Sequence, residues 1–214
     1  MTSSPDKKAI VQLPMTPVSD CYGYDRGNPV DRHYIEAFLA EHAAAIHGDG
    51  AEVKDDTYLR RFGHGRLRSA TVIDIDPTRP RATLHADLAT AGSLPGAAFD
   101  CMVLTQTLQL VRDPAAALAN CCQALRPGGT LLLTVPCLSR ITPVGGDTDR
   151  WRYTPAGLRH LLASWPGQVT VTGYGNLRTC LAALLGEAAE DLTSAELDHD
   201  DPVFPLLACA AACR

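Results

Sequence analysis

Carboxylates at the ends of apolar runs are the first residues in this 214-residue chain whose types and spacing suggest chemistry. Ser69 to Pro77, SATVIDIDP, has the apolar pattern of a strand and ends in acids. Asp74 follows Glu52 by roughly the 20 positions at which nucleotide-binding α/β folds set a carboxylate that accepts both ribose hydroxyls. Asp76 lies two residues on, on the same strand face, and is the alternative. A second grouping, Arg150, Trp151, Arg152 and Tyr153, sets guanidinium groups beside aromatic faces, a mixture suited to polar, ringed or anionic ligands. The competing reading is a loop fastened to the core by Trp151. A third grouping, Asp198, His199, Asp200 and Asp201, has metal-binding residue types. Consecutive residues seldom converge on one ion, so a solvated loop is expected there and no metal site anywhere.

The elements that must position these residues are organised around Phe99 to Pro136. Phe99 to Thr105 reads as a buried strand that ends in polar residues. Asp113 and Pro114 supply a helix N-cap and first position. Ala117, Leu118, Cys121, Cys122 and Leu125 form one apolar helix face, and Arg126-Pro127-Gly128-Gly129 ends it. Thr130 to Val135 is a second buried strand, so the unit is a right-handed parallel crossover. Upstream, Asn28 and Pro29 start a helix that runs through His47, ended by Gly48-Asp49-Gly50. A first strand and its loop fall in Ala51 to Tyr58, and a third strand in Ala82 to Leu88. Downstream, Thr154-Pro155 caps one helix and Asn176 another that runs through Ala189. Strands fall at Gln168 to Tyr174 and Val203 to Ala212. Ligands of open parallel sheets bind beyond the carboxyl ends of the strands, where these polar residues cluster.

A hydrophobic content of 46% is ordinary for a globular domain, and a net charge of −5 leaves no basic surplus for nucleic-acid phosphates. No apolar run reaches the ~20 residues of a membrane span, and the first 20 residues are expected to be a flexible tail. Cys101, Cys121, Cys122, Cys137, Cys180, Cys209 and Cys213 fall in apolar elements without metal-ligand spacing. They read as free, buried thiols in a cytoplasmic protein.

Some of these residues also carry a resemblance. FDxxxLTQxLQ, the Asp-Pro helix and LRPGGTLLLTVP resemble the carboxyl half of a class I S-adenosylmethionine (SAM)-dependent methyltransferase domain. GYDRGNPVDRHYIEAFL looks like the leader of a subgroup found beside glycosyltransferases and natural-product pathways. DRWRYTPAGLRHLL is similar to a segment of small-molecule methyltransferases. The resemblance implies a Rossmann-like domain over 21–214 with a lid helix over 28–47. It further implies a seven-stranded, mostly parallel sheet of order 3-2-1-4-5-7-6 flanked by helices. It implies SAM as cofactor and a small-molecule acceptor from a sugar or natural-product pathway; the charge and the lack of a long apolar run lead to the expectation of no nucleic-acid or membrane partner, and a homodimer is a possible assembly. The usual E/D-x-G-x-G-x-G loop is degenerate, with Lys54, Asp56 and Tyr58 at its three glycine positions. Within the resemblance, Glu52, Lys54, Asp55, Asp56 and Thr57 form the cofactor loop. Asp74 or Asp76 takes the ribose, Asp87 and Leu88 the adenine, and Thr105, Gln106 and Gln109 face the cofactor or its methyl. Arg32, Tyr34, Arg150, Trp151 and Tyr153 are the substrate-binding candidates, and His33 and Asp149 the candidate bases. The altered loop keeps two alternatives open. One is a non-enzymatic partner subunit with this fold; the other is a SAM-fold protein of non-methylating chemistry such as cyclisation.

Overall fold

A computed structural model describes residues 12–142 and 146–214. Its strands are β1 (Gly48–Val53), β2 (Leu67–Asp74), β3 (Leu84–His85), β4 (Phe99–Thr105), β5 (Leu125–Pro136), β6 (Val169–Tyr174) and β7 (Leu207–Cys213). They form one sheet in the expected order, β3-β2-β1-β4-β5-β7-β6. Pairings from β3 to β5 are parallel, and β7 runs antiparallel to both β5 and β6. Helices α1 (Val30–Glu41), α2 (Thr57–Gly63), α3 (Pro114–Ala124), α4 (Pro155–Leu161) and α5 (Leu177–Leu185) cover both faces.

The alternation of side chains along β4 divides the core in two. Cys101 and Val103 join residues of α1, α2 and α5 in one apolar cluster, whereas Met102 and Leu104 join α3 and α4 in the other. Strands covered on both faces read as unbroken apolar runs, which is why LLLTV in β5 carries no polar alternation. Leu131, Leu132 and Leu133 are fully buried, and trimming any of them to alanine would cost about 2–5 kcal/mol.

Three helix starts follow the sequence reading: Asp113, Thr154 and Asn176 each accept a backbone N–H three residues on. Other boundaries differ. The first helix begins at Val30, with Pro29 in the capping position and no side-chain cap, and ends at Glu41 rather than His47. Gly48-Asp49-Gly50 is the start of β1 and not a helix stop. A Cβ at Gly50 would sit 2.9 Å from Leu59, so that glycine lets α2 approach the sheet. Asp49 is held by Arg68 and Ser69 on β2 and by Arg126 on β5. The third strand shrinks to two residues, and the helix after Asn176 ends at Gly186, whose φ of +76° is left-handed. Residues 1–11 of the expected tail lie outside the described residues. Val18 donates to the Leu185 carbonyl at 2.7 Å and Ser19 is buried, so the chain is fastened before residue 20.

Candidate active site

β1 and β4 are neighbours, yet β1 leads into α2 on one face and β4 into α3 on the other. Such a reversal opens a crevice beyond the strands' carboxyl ends. A cleft of about 850 Å³ lies there, and a second of about 320 Å³ adjoins it; Tyr24, Arg32, Lys54, Gln106 and Leu110 line both.

The end of β1 explains how a loop short of glycine is built. Lys54 has φ +83°, a left-handed backbone that favours glycine, while its N–H donates to the Ile73 carbonyl of β2 at 2.8 Å. Asp56 has φ −115°, and Tyr58 lies inside α2. Only the first of the three expected glycine positions therefore needs a glycine's freedom. Glu52 is 2% exposed and accepts the N–H groups of Tyr58 and Leu59 at 3.3 and 2.8 Å. This carboxyl group from the strand caps the start of α2. Burial pushes its pKa up to about 8. Asp55 accepts the Thr57 N–H at 2.9 Å, and Asp56 pairs with Arg60 at 2.5 Å. Glu52, Lys54, Asp55 and Thr57 line the larger cleft, and Asp56 does not.

On the other strands, Asp74, Asp76, Asp87, Leu88, Thr105 and Gln106 all line the larger cleft. Asp74 ends β2 with its side chain 12% exposed and accepts the Asp76 N–H at 2.9 Å. Asp76 is committed to its own turn: Thr78 gives it backbone and hydroxyl hydrogen bonds that hold its carboxyl below the usual range. Asn120 of α3, buried, donates to the Leu88 and Thr90 carbonyls at 2.8 and 3.1 Å and so fixes the segment after the short β3. Gln106 has φ +47° and donates its N–H to Thr134 at 3.0 Å. Left-handed backbones thus stand at the ends of both strands of the crevice, where strained residues tend to gather at working sites.

The remaining candidates separate. Gln109 and Asp149 line the smaller cleft rather than the larger, and Arg32 lines both. Asp149 is gripped by Arg152 at 2.5 Å and by the Thr142 N–H at 2.8 Å; the Arg152 hydrogen bond holds its pKa down, which makes it a weak base. His33 packs edge-on against Tyr34 and lines neither cleft. Tyr34 is 3% exposed and donates to the Leu197 carbonyl at 2.9 Å, so it is a core residue. Trp151 donates its indole N–H to Val111 at 2.9 Å, and its backbone N–H to Gln109 at 3.2 Å, which makes it the fastener of its loop. Tyr153 packs on the core beside α4. Arg150 reaches the larger cleft while donating to the carbonyls of Leu110 and Thr148.

Further residues complete the lining, and of these Arg140 alone escaped the sequence reading. Asp31 lines the smaller cleft, 4.0 Å from Arg32 and within 3.4 Å of the Gln106 amide. Burial raises its pKa. Tyr58 meets the Arg32 guanidinium at 3.5 Å. Arg140 comes from the irregular segment after β5, where no periodicity marked it. Among the described residues, no group of His, Cys, Asp and Glu side chains is arranged to hold a metal ion, and no helix is long and apolar enough to cross a membrane.

Comparison with known proteins agrees with this geometry. An S-adenosylmethionine-dependent methyltransferase from Mesorhizobium loti superposes with a TM-score of 0.58 at 18% identity, over 90% of this chain and 100% of the other. The N-methyltransferase NodS of Bradyrhizobium japonicum, bound to S-adenosyl-L-homocysteine, gives 0.56 at 15%, over 92% and 93%. The [4+2]-cyclase SpnF gives 0.54 at 17%, over 92% and 86%. At such identities these likenesses show the shared fold. No curated protein sequence matches the chain. A family profile described as a methyltransferase domain matches residues 18–180. Because that match spans most of the chain, the protein belongs to the methyltransferase-domain family.

Proposed function

We propose that the protein transfers a methyl group from SAM to a small polar acceptor, the cofactor in the larger cleft and the acceptor in the smaller. The observation that carries this reading is the donor set around the larger cleft. A carboxylate ends β2, another follows β3, and exposed Ile75 and Leu110, 68% and 38% accessible, offer apolar walls between them. That pattern fits a nucleoside: Asp74 would hold the ribose hydroxyls and Asp87 with Leu88 the adenine. When bound, SAM supplies an electrophilic methyl on a sulfonium.

The chain's own contribution is placement. Gln106 at the junction of the clefts, beside Thr105, orients the two reactants, and Arg32 of α1 with Tyr24 of the turn before it excludes water. An acceptor hydroxyl or ammonium must also lose a proton, and Asp31, facing the smaller cleft, is better suited to take it than Asp149, whose charge is already spent on Arg152. An acceptor from a sugar or natural-product pathway is consistent with the polar lining of that cleft.

Calorimetric titration with SAM and S-adenosylhomocysteine tests the reading. Micromolar binding that Asp74→Ala weakens at least tenfold is expected. Absence of binding by the folded protein would overturn it in favour of a partner subunit. SAM binding without methyl transfer to any pathway acceptor would favour non-methylating chemistry, for which the fold shared with a cyclase is the supporting observation.

A further inference from the structure

The two clefts differ in charge. Acids and bases lining the larger cleft match one for one by formal charge when Arg32 and Lys54, which line both clefts, are counted there, so the larger cleft carries no cationic surplus. The smaller cleft holds three cations, Arg32, Lys54 and Arg140, against two carboxylates, Asp31 and Asp149. Asp149 is neutralised by Arg152, which is not part of the lining, and Asp31 faces Arg32 at 4.0 Å. Lys54 and Arg140 are left over, in a protein whose net charge is −5. Among the described residues, neither has a carboxylate within ion-pair distance.

Arg140 is set rigidly. Its guanidinium lies 4.0 Å above the Tyr22 ring, and one terminal nitrogen donates to the Asp20 carbonyl at 2.7 Å. Its Nε is fully buried and finds no acceptor among the described residues. A buried donor left without a partner is costly, and a pre-oriented guanidinium edge matches the two oxygens of a carboxylate or phosphate. In the lining of the same cleft, the Gln109 side-chain oxygen is buried without a donor among the described residues. Its orientation is fixed, because the Gln109 amide nitrogen donates to the Gln106 carbonyl at 2.9 Å and a flipped amide would set oxygen against oxygen.

We propose that the smaller cleft is an oxyanion subsite, in which Arg140 and Lys54 grip a carboxylate or phosphate on the acceptor while Gln109 receives a hydrogen bond from its hydroxyl or amine. The proposal rests on the methyl-transfer reading for calling the ligand an acceptor. It rests on the charge and orphaned atoms of the cleft for the anion.

The test uses inorganic phosphate and acetate as probes, titrated calorimetrically at low ionic strength into the full chain with and without saturating S-adenosylhomocysteine. One anion per chain is expected to bind saturably in both cases, and the tighter probe names the group. Arg140→Gln should weaken that binding at least tenfold while leaving S-adenosylhomocysteine affinity within twofold, which also proves the variant folded. Lys54→Met, its fold checked by thermal melting, should weaken anion binding as well. Failure of both anions to bind, or equal binding by Arg140→Gln, would overturn the subsite. Anion binding abolished by S-adenosylhomocysteine would overturn it too, since these cations would then serve the cofactor's own carboxylate. Anion binding lost in Arg140→Gln, by a protein that never binds S-adenosylhomocysteine, would uphold the subsite and sink the methyl-transfer reading instead.

Discussion

Replacing Lys54 by glycine, and separately by alanine, isolates the strain at the end of β1. Both variants remove the ammonium and its stem, so their difference reports the backbone alone. At φ +83°, a side chain with a Cβ sits in the left-handed region at a cost of about 1–2 kcal/mol. Glycine removes that cost but loses about 0.5–1 kcal/mol through the greater freedom of its unfolded chain. The glycine variant should therefore be the more stable by about 0.5–1 kcal/mol. For a chain of 214 residues, that raises Tm by about 1–4 °C over the alanine variant. Paired thermal melts and urea titrations at one pH measure it. An alanine variant as stable as the glycine variant would refute the reasoning, because the backbone at 54 would then carry no strain.

Two further expectations concern titratable groups. The Glu52 carboxyl is raised from 4.5 to about 8 by burial, so the folded protein holds its proton more tightly than the unfolded chain. Its stabilising contribution is full below pH 4.5 and drains away as pH climbs toward 8. Glu52→Gln does not titrate, so its stability relative to the parent should rise by a few kcal/mol between those limits; urea titrations that stay parallel from pH 5 to 8 would count against it. Of the eight cysteines, Cys21 is exposed and the others are buried or half-buried, with burial lifting Cys121 and Cys137 to about 12. A thiol reagent should find one fast site in the native protein, absent in Cys21→Ser; a fast phase that survives the substitution would contradict this.

Strand β4 and the start of helix α3 were legible from the apolar run Phe99 to Thr105 and from Asp113-Pro114, whereas Leu125 and the expected stop Arg126-Pro127-Gly128-Gly129 belong to β5, since α3 already ends at Ala124. Strand β1 was displaced because its glycines look like a stop, whereas Gly50 is there to admit Leu59 from α2. Residues offered by strand ends, such as Asp74, Asp87 and Gln106, could be found from the strands alone and do gather at one cleft. Residues whose side chains leave a helix or loop were a different matter. His33 and Tyr34 directly follow Arg32 in sequence, yet of the three only Arg32 faces the clefts. Trp151 and Arg150 diverge in the same way, and Arg140 had no pattern to announce it. Direction off a helix or an aperiodic loop is decided by tertiary packing, which one-dimensional spacing does not encode.

The position of β7 bears on how the protein is born. It is the final strand in chain order, yet it lies between β5 and β6, pairing with both. As the chain leaves the ribosome, β6 emerges with no strand to join, and the outer side of β5 stays an open edge until residues 207–213 follow. An open edge flanked by Leu131, Leu132 and Leu133 is a template for any passing strand. Synthesis stalled or cut short before Leu207 would therefore release a near-complete sheet with its most apolar edge unsealed, a natural client for chaperones and a seed for aggregation.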